Sequence, residues 1–332
     1  MNVFDLTKRL IEIPSISGDE KAVAEFLADY LSDAGFEVEL QETDCGRPNV
    51  YARRGEPDVV FSSHTDTVPP YVEFSEDDEF IYGRGACDAK GIIAAMVKAS
   101  EALIEANITD IGLLFVVGEE AGSPGARAAN EIPNRSRHLI NGEPTESRLA
   151  LGSKGALRAV FKATGRAAHS AYPEMGESAI DKLLDILADL RRVEFPRNET
   201  LGAVTMNIGV IKGGLAANVI PPEAEAELMF RIVTNADSIK QIIEDVVGAR
   251  AQIEYTFACD AVFTEPLEGF ETAVVSFTTD IPLLTKWGKP LLFGPGSILD
   301  AHTAHEKISK PELLRAVDVY AKMVMRLKEV TT

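Results

Sequence analysis

Apolar positions recur at helical spacing over residues 3–13 and stop at Pro14, and a second helical pattern covers 19–31 and ends at Gly35. Short strand patterns follow at 37–40 and 50–52. The run at 58–63 is apolar enough for a fully buried strand, 91–106 reads as a helix, and 112–117 reads as another buried strand. Strands alternating with helices predict an α/β domain whose largely parallel sheet is covered on both faces.

The pattern changes after Gly152. A strand at 156–164, a helix at 178–190, strands at 203–211 and 224–233, a helix at 235–247 and a strand at 251–257 give the order β-α-β-β-α-β. That is the split arrangement of a ferredoxin-like α+β sandwich. A short strand at 290–293 and a closing helix at 311–328 then resume the first pattern. A lone strand needs a sheet to join, so the simplest topology returns it to the first domain. The expectation is a mixed α/β domain built from 1–152 and 259–332, with a smaller α+β domain, 153–258, inserted in it. At 332 residues the chain is long enough for both.

Composition narrows function more than fold. Apolar residues make up 45% of the chain and charged residues 26%, ordinary proportions for a packed core. The formal net charge of -19 repels a phosphate backbone, and no Lys/Arg cluster offsets it, so nucleic acid is disfavoured as a partner. Acidic stretches such as 73–79 and 223–227 read as solvated faces. Nothing approaches the roughly 18 uninterrupted apolar residues of a membrane span. The N-terminus mixes Asp5, Lys8, Arg9 and Glu12 into an amphipathic pattern unlike a signal peptide. Cys45, Cys87 and Cys259 are odd in number, far apart and without a C-x-x-C pair, which suggests neither a disulfide framework nor a thiolate metal site. Together these point to the cytoplasm and to a partner that is a small molecule.

The candidate chemistry clusters after the apolar strands. His64 follows the strand at 58–63, in the place where open α/β sheets bind ligands. Asp66, two residues on, can face the same way and orient its ring as a metal ligand's supporting carboxylate does. Asp88 sits on the Gly-rich segment GRGACDAKG at a helix start, where it can ligate a cation or cap the helix. It stands in the place of the third glycine of G-x-G-x-x-G, which argues against a dinucleotide loop. Glu119 and Glu120 follow the strand at 112–117, and neighbours in extended chain point to opposite sides, so one can bind a cation while the other faces substrate. Glu143 and His302 each follow a short apolar stretch between turn residues. His138 reads as structural, and His305 with Glu306 is not a zinc helix because Ser309 stands where a second histidine belongs. Imidazole and carboxylate donors without thiolate suit zinc, and also accept cobalt or manganese. No G-x-S-x-G elbow supports serine catalysis.

Taken in order, SSHTDTVP, GRGACDAKG, the glutamate pair of VVGEEAGSPGA, NGEPT, GRAAHSAYPEMGESAI, GGLAANVIP and FGPGSILDAHTAHE resemble the M20 metallopeptidase family along essentially the whole chain. That family includes acetylornithine deacetylase, succinyl-diaminopimelate desuccinylase, acetyl-lysine deacetylase and several carboxypeptidases. The resemblance implies two divalent metal ions, one held by His64, Asp88 and Glu143 and the other by Asp88, Glu120 and His302, with Asp88 shared. It implies Glu119 as the general base, Asp66 as the support of His64, and His169 as the group that reaches the oxyanion, often from a partner subunit. The inserted domain would then serve as lid and dimerisation domain of a homodimer. Asn218 and Arg231 match positions that hold a substrate carboxylate, and Gly294 lies in a substrate-contacting loop. Ser63 and Cys87 depart from the usual Gly before the histidine and Ser or Thr before the aspartate, and Cys87 would make the site sensitive to thiol reagents.

FGPGSILDAH resembles the acetylornithine deacetylase branch and lacks the SGGTSDGR-like segment of the desuccinylase branch. The expected substrate is an N-acyl amino acid, with N-acetylornithine, an intermediate of arginine biosynthesis, the leading case. N-succinyl-diaminopimelate, acetyl-lysine, acetyl-citrulline and short peptides stay open. A metal-binding homologue that has lost hydrolysis is the alternative of a different class, and the presence of both ligands and base argues against it.

Overall fold

The computed structural model describes residues 1–44 and 46–331, so Cys45 lies outside the described residues. The chain forms two compact units. One comprises Met1–Leu151, Phe263–Ala273 and Thr279–Thr332; the other comprises Gly152–Val262 and Val274–Thr278. The second unit thus reaches a few residues beyond the expected 258, and a short later segment returns to it.

In the first unit the chain runs α1 (Val3–Ile11), α2 (Lys21–Asp33), β1 (Glu37–Gln41), β2 (Asn49–Arg54), β3 (Val59–His64), α3 (Lys90–Glu105), β4 (Ile111–Val116) and β5 (His138–Asn141). In the second it runs β6 (Gly155–Thr164), α4 (Ala179–Leu190), β7 (Thr205–Gly213), β8 (Glu223–Ile232), α5 (Ala236–Val247) and β9 (Gln252–Cys259). Back in the first unit follow β10 (Lys289–Leu292) and α6 (Lys310–Thr331).

Six strands of the first unit lie in the order β1-β2-β4-β3-β5-β10. The last four are parallel to one another, and β1 and β2 join antiparallel. Every residue of β3 and β4 is buried, which is why β4 is apolar throughout and β3 opens on an apolar run, Val59 to Phe61, before turning polar toward its carboxyl end. Phe61, Leu113 and Phe115 pack on one face with α1, α2, α3 and α6. Val60, Leu114 and Val116 pack on the other, with Ala126, Ala129 and Trp287. Tyr320 of α6 stands edge-on to Phe61 and Phe293, and its hydroxyl donates to the Phe293 carbonyl at 2.8 Å. Because β3, β4, β5 and β10 run the same way, their carboxyl ends share one edge of the sheet.

The second unit has sheet order β7-β8-β6-β9 with antiparallel neighbours throughout, the ferredoxin-like arrangement. Alternate residues of β8, among them Leu228 and Phe230, turn toward the two helices and bury against Leu183, Ile186, Ile239 and Ile243. Ser178 and Asn235 cap those helices by accepting the N–H groups of Asp181 and Ser238. Among the described residues no helix is long and apolar enough to cross a membrane.

Candidate metal centre

The four parallel strands deliver the chemistry to their common edge. His64 is the last residue of β3, Glu119 and Glu120 come just after β4, Glu143 just after β5, and His302 on the turn-rich segment after β10. Asp88 lies on the turn before α3, and the Asp88–Ala89 peptide is cis.

His64 is almost fully buried. Its Nε2 is 3.0 Å from Asp88 Oδ1 and 4.0 Å from Glu143 Oε2. His302 Nε2 meets Glu120 Oε1 at 2.6 Å and Asp88 Oδ2 at 3.1 Å. Asp88 therefore offers one oxygen to each histidine. Two trios result, His64 with Asp88 and Glu143, and Asp88 with Glu120 and His302, each with donor atoms within 4.8 Å of one another. Such spacings suit cations that sit about 2.0–2.2 Å from nitrogen and oxygen donors.

The electrostatics of the centre call for positive charge. Burial pushes the Glu143 carboxyl well above its ordinary value, and its Oε1 is buried without a hydrogen bond. Hydrogen bonds donated to the carboxylates of Asp88 and Glu120 push His302 up to about 10, so in the absence of a cation the imidazole itself carries the balancing charge. His64 is likewise held well above its ordinary value, the carboxylates of Asp66, Asp88 and Glu143 outweighing its desolvation. An orphaned carboxylate oxygen beside two such histidines, with only nitrogen and oxygen donors, fits divalent metal ions. Cys87 is not part of that set. Its Sγ turns to Ser297 O at 3.7 Å and Glu306 Oε1 at 3.8 Å, and burial pushes the thiol well up.

Two details differ from the sequence expectation. Glu119 and Glu120 lie in a 3₁₀ turn, Glu119–Ala121, and not in extended chain. They still diverge, Glu120 to His302 and Glu119 into a confined spot where desolvation, then the charge of Asp280, raises its carboxyl well above the ordinary value. His64 Nδ1 meets the Asp66 backbone oxygen at 3.0 Å, nearer than the Asp66 carboxylate at 3.4 Å. That carboxylate accepts the N–H groups of Glu119 at 3.0 Å and Glu120 at 3.2 Å and the Ser17 hydroxyl at 2.6 Å, so it holds the turn as much as the imidazole. Gly294 is buried, its N–H and carbonyl bonded to Thr145, and a Cβ there would come within 2.4 Å of the Glu143 carbonyl. Its lack of a side chain is thus explained by packing.

Two residues of the centre escaped the sequence reading. Asp280 is 2% exposed, its Oδ1 makes no hydrogen bond, and burial pushes its carboxyl up to about 6. Glu306 is 1% exposed and accepts three main-chain N–H groups of the Asp88 turn. Only the run TTDIPLL, an acid directly before apolar residues, hinted at the first.

The second unit brings His169 and Asn218 together. Ser170 N–H donates to Asn218 O at 3.0 Å, and His169 bridges to Val219. His169 is exposed and its Nδ1 accepts the Ala171 N–H at 3.1 Å, which leaves the proton on Nε2. Arg231 is not with them. It pairs with Thr205 and Ala156 near the far end of β8, whereas the loops of His169 and Asn218 adjoin its first residue, Glu223. That is about 27 Å of extended strand away.

The model of peptidase family M20/M25/M40 matches residues 60–326. A peptidase M20 domain-containing protein of Schizosaccharomyces pombe is 39% identical over 337 residues, covering 98% of this chain and 84% of that protein. A probable carboxypeptidase of Aspergillus flavus is 38% identical, covering 96% and 88%. The crystal structure of an M20 family metallo-carboxypeptidase from Sulfolobus solfataricus superposes with a TM-score of 0.76 at 18% identity, covering 98% of this chain and 99% of that one. With the family match running from the second residue of β3 into α6, this chain belongs to peptidase family M20/M25/M40.

Proposed function

We propose that this M20 hydrolase cleaves the amide bond of a small peptide or N-acyl amino acid bearing a free carboxylate, using two divalent metal ions, zinc first among them. The observation that carries this reading is the pair of three-donor groups sharing Asp88, with Glu119 confined beside them. His64, Asp88 and Glu143 would hold one ion and Asp88, Glu120 and His302 the other. When bound, the ions polarise the scissile carbonyl and make water a better nucleophile near neutral pH.

Glu119 supplies the proton transfer. It accepts a proton from the attacking water and returns it to the leaving amine, a task suited to a carboxyl whose proton affinity is raised by its surroundings. Asp66 keeps Glu119 in place through its main-chain N–H and orients His64. Arg231, half-buried on β8, is suited to a substrate carboxylate, and His169 Nε2–H to a developing oxyanion. The separation of Arg231 from His169 and Asn218 along one strand argues that a small substrate does not reach both from the same chain. A homodimer in which the second copy's His169 and Asn218 complete the site resolves this.

For the substrate, the carboxypeptidase names of the relatives favour release of a C-terminal residue from a short peptide. Deacetylation of N-acetylornithine is the second reading, favoured by FGPGSILDAH. Release of free amine from dipeptides, N-acetylornithine, N-succinyl-diaminopimelate, acetyl-lysine and acetyl-citrulline, with zinc or cobalt added, decides between them. Turnover of amides lacking a free carboxylate, and of none with one, would refute the proposed substrate class.

A further inference from the structure

Glu306 ends the HTAHE segment and takes no part in the reaction just described. Its Oε1 accepts the N–H of Gly85 at 3.0 Å, of Asp88 at 3.2 Å and of Cys87 at 3.3 Å. Its Oε2 accepts from Arg84 Nη1 at 2.6 Å. Arg84, 2% exposed, also donates to Thr303 O and Pro70 O, each at 3.2 Å. The Gly83 N–H donates to the Glu306 carbonyl at 3.1 Å. One carboxylate and one guanidinium thus join the turn that carries Asp88 to the turn that carries His302.

Both turns need such a tie. Neither Asp88 nor His302 lies within a strand or helix, unlike His64 at the end of β3. His302 has φ +62, a left-handed conformation that a histidine keeps only where its surroundings impose it. Three N–H groups converging on one oxygen are bonded well by a charged acceptor and less well by a neutral one.

We propose that Glu306 is a positioning residue that fixes the separation of Asp88 and His302, so that the trio of Asp88, Glu120 and His302 depends on it for its grip on a divalent cation. The other trio depends on it less, because His64 and Glu143 are placed by the ends of β3 and β5. This rests on the reading that each trio takes one cation.

The test is calorimetric titration of the chelator-stripped chain with zinc, using His302→Ala to identify which binding step belongs to the second trio. In Glu306→Gln that step weakens about 10- to 100-fold, the range for loss of a partner that orients a ligand, while the other step stays near wild type. Arg84→Met keeps all three N–H bonds to Oε1. It lowers the unfolding midpoint and, with the bond to Thr303 O also lost, weakens the second-trio step less than Glu306→Gln does. A merely structural Glu306 would lower the midpoint and leave both steps near wild type. Emission of the single, buried Trp287 reports whether each variant is folded. Should Glu306→Gln not fold, Glu306→Asp, which keeps the charge and shortens the reach, carries the same expectation. Two unchanged steps, or two equally weakened ones, overturn the proposal. A wild-type chain that binds a single zinc ion would instead overturn the two-trio reading, whatever Glu306 does.

Discussion

Replacing Asp280 by asparagine should stabilise the metal-free protein, and by more at neutral than at acid pH. The Asp280 carboxyl is buried with one oxygen unbonded, against desolvation it has the Ser123 hydroxyl, and it stands in the field of Asp66. Its folded pKa is raised above the unfolded value, so between about pH 4 and 6 the unfolded chain binds fewer protons than the folded one. The contribution of Asp280 to stability therefore falls as pH rises through that window. From an ordinary value of 3.8 and a folded value of about 6, ionisation costs about 1.6 kcal/mol near pH 5 and about 3 kcal/mol near pH 7.5. Asparagine has the same shape and no charge, so about 1.4 kcal/mol of extra stability should develop between those two pH values. Any penalty from imperfect bonding of the new amide does not depend on pH and cancels in the difference. Urea unfolding followed by Trp287 emission reads the first unit alone, because the chain has no other tryptophan. A gain that is the same at both pH values, or a variant less stable at the higher one by more than at the lower, would refute the assignment of a buried, strained charge to Asp280.

Other outcomes follow from the same geometry. Glu119→Ala should retain both metal equivalents and lose at least about 10²–10⁴-fold in kcat, the range for a general base; unchanged turnover would exclude it from proton transfer. His302→Ala should lose one metal equivalent by elemental analysis, and retention of two would remove it from the ligand set. Mixing inactive Glu119→Ala with inactive His169→Ala chains should restore activity once subunits exchange, and proven exchange without recovery would rule out a shared site. Tyr320→Phe leaves the buried Phe293 carbonyl without its donor and should cost about 1–3 kcal/mol in urea unfolding.

Much of this was legible in the sequence because the physics involved is local or periodic. The buried strand β4 announces itself as an unbroken apolar run and β3 opens on one, and the residues that follow each parallel strand are forced to one edge of the sheet. Hence His64, Glu119, Glu120, Glu143 and His302, separated by up to 238 positions in number, could be grouped before any coordinates. The β-α-β-β-α-β order of the second unit was equally readable, since alternation in β8 and the N-caps Ser178 and Asn235 mark its elements. The 3₁₀ turn at Glu119–Ala121 was not, because it is set by the left-handed Gly118 and by the Asp66 carboxylate that accepts its N–H groups, a partner 53 residues away. The strand expected at 224–233 already set Arg231 near its far end and Asn218 before its start.

The two residues missed, Asp280 and Glu306, share a physical character with Asp66. Asp66, Asp280 and Glu306 are carboxylates buried as deeply as the candidate ligands, and they divide the work that a cluster of negative charge requires. Asp66 and Glu306 are satisfied by main-chain N–H groups and fix the turns of Glu119 and Asp88, although burial raises the Glu306 carboxyl above its ordinary value. Against its desolvation, Asp66 is held below the ordinary carboxylate range by His64, Ser17 and the Glu119 N–H. Asp280 lacks that satisfaction, and burial raises it to about 6. A carboxylate fully bonded by amides acts as a strut, while one left partly unbonded beside Glu119 acts through its charge. Sequence alone gives both the same letter, and only the count of N–H groups around each oxygen tells them apart. On this argument Asp66→Asn and Glu306→Gln should damage the placement of ligands and base, whereas Asp280→Asn should leave placement intact and shift the acid limb of the kcat profile to lower pH, as removal of a neighbouring negative charge weakens the hold of Glu119 on its proton.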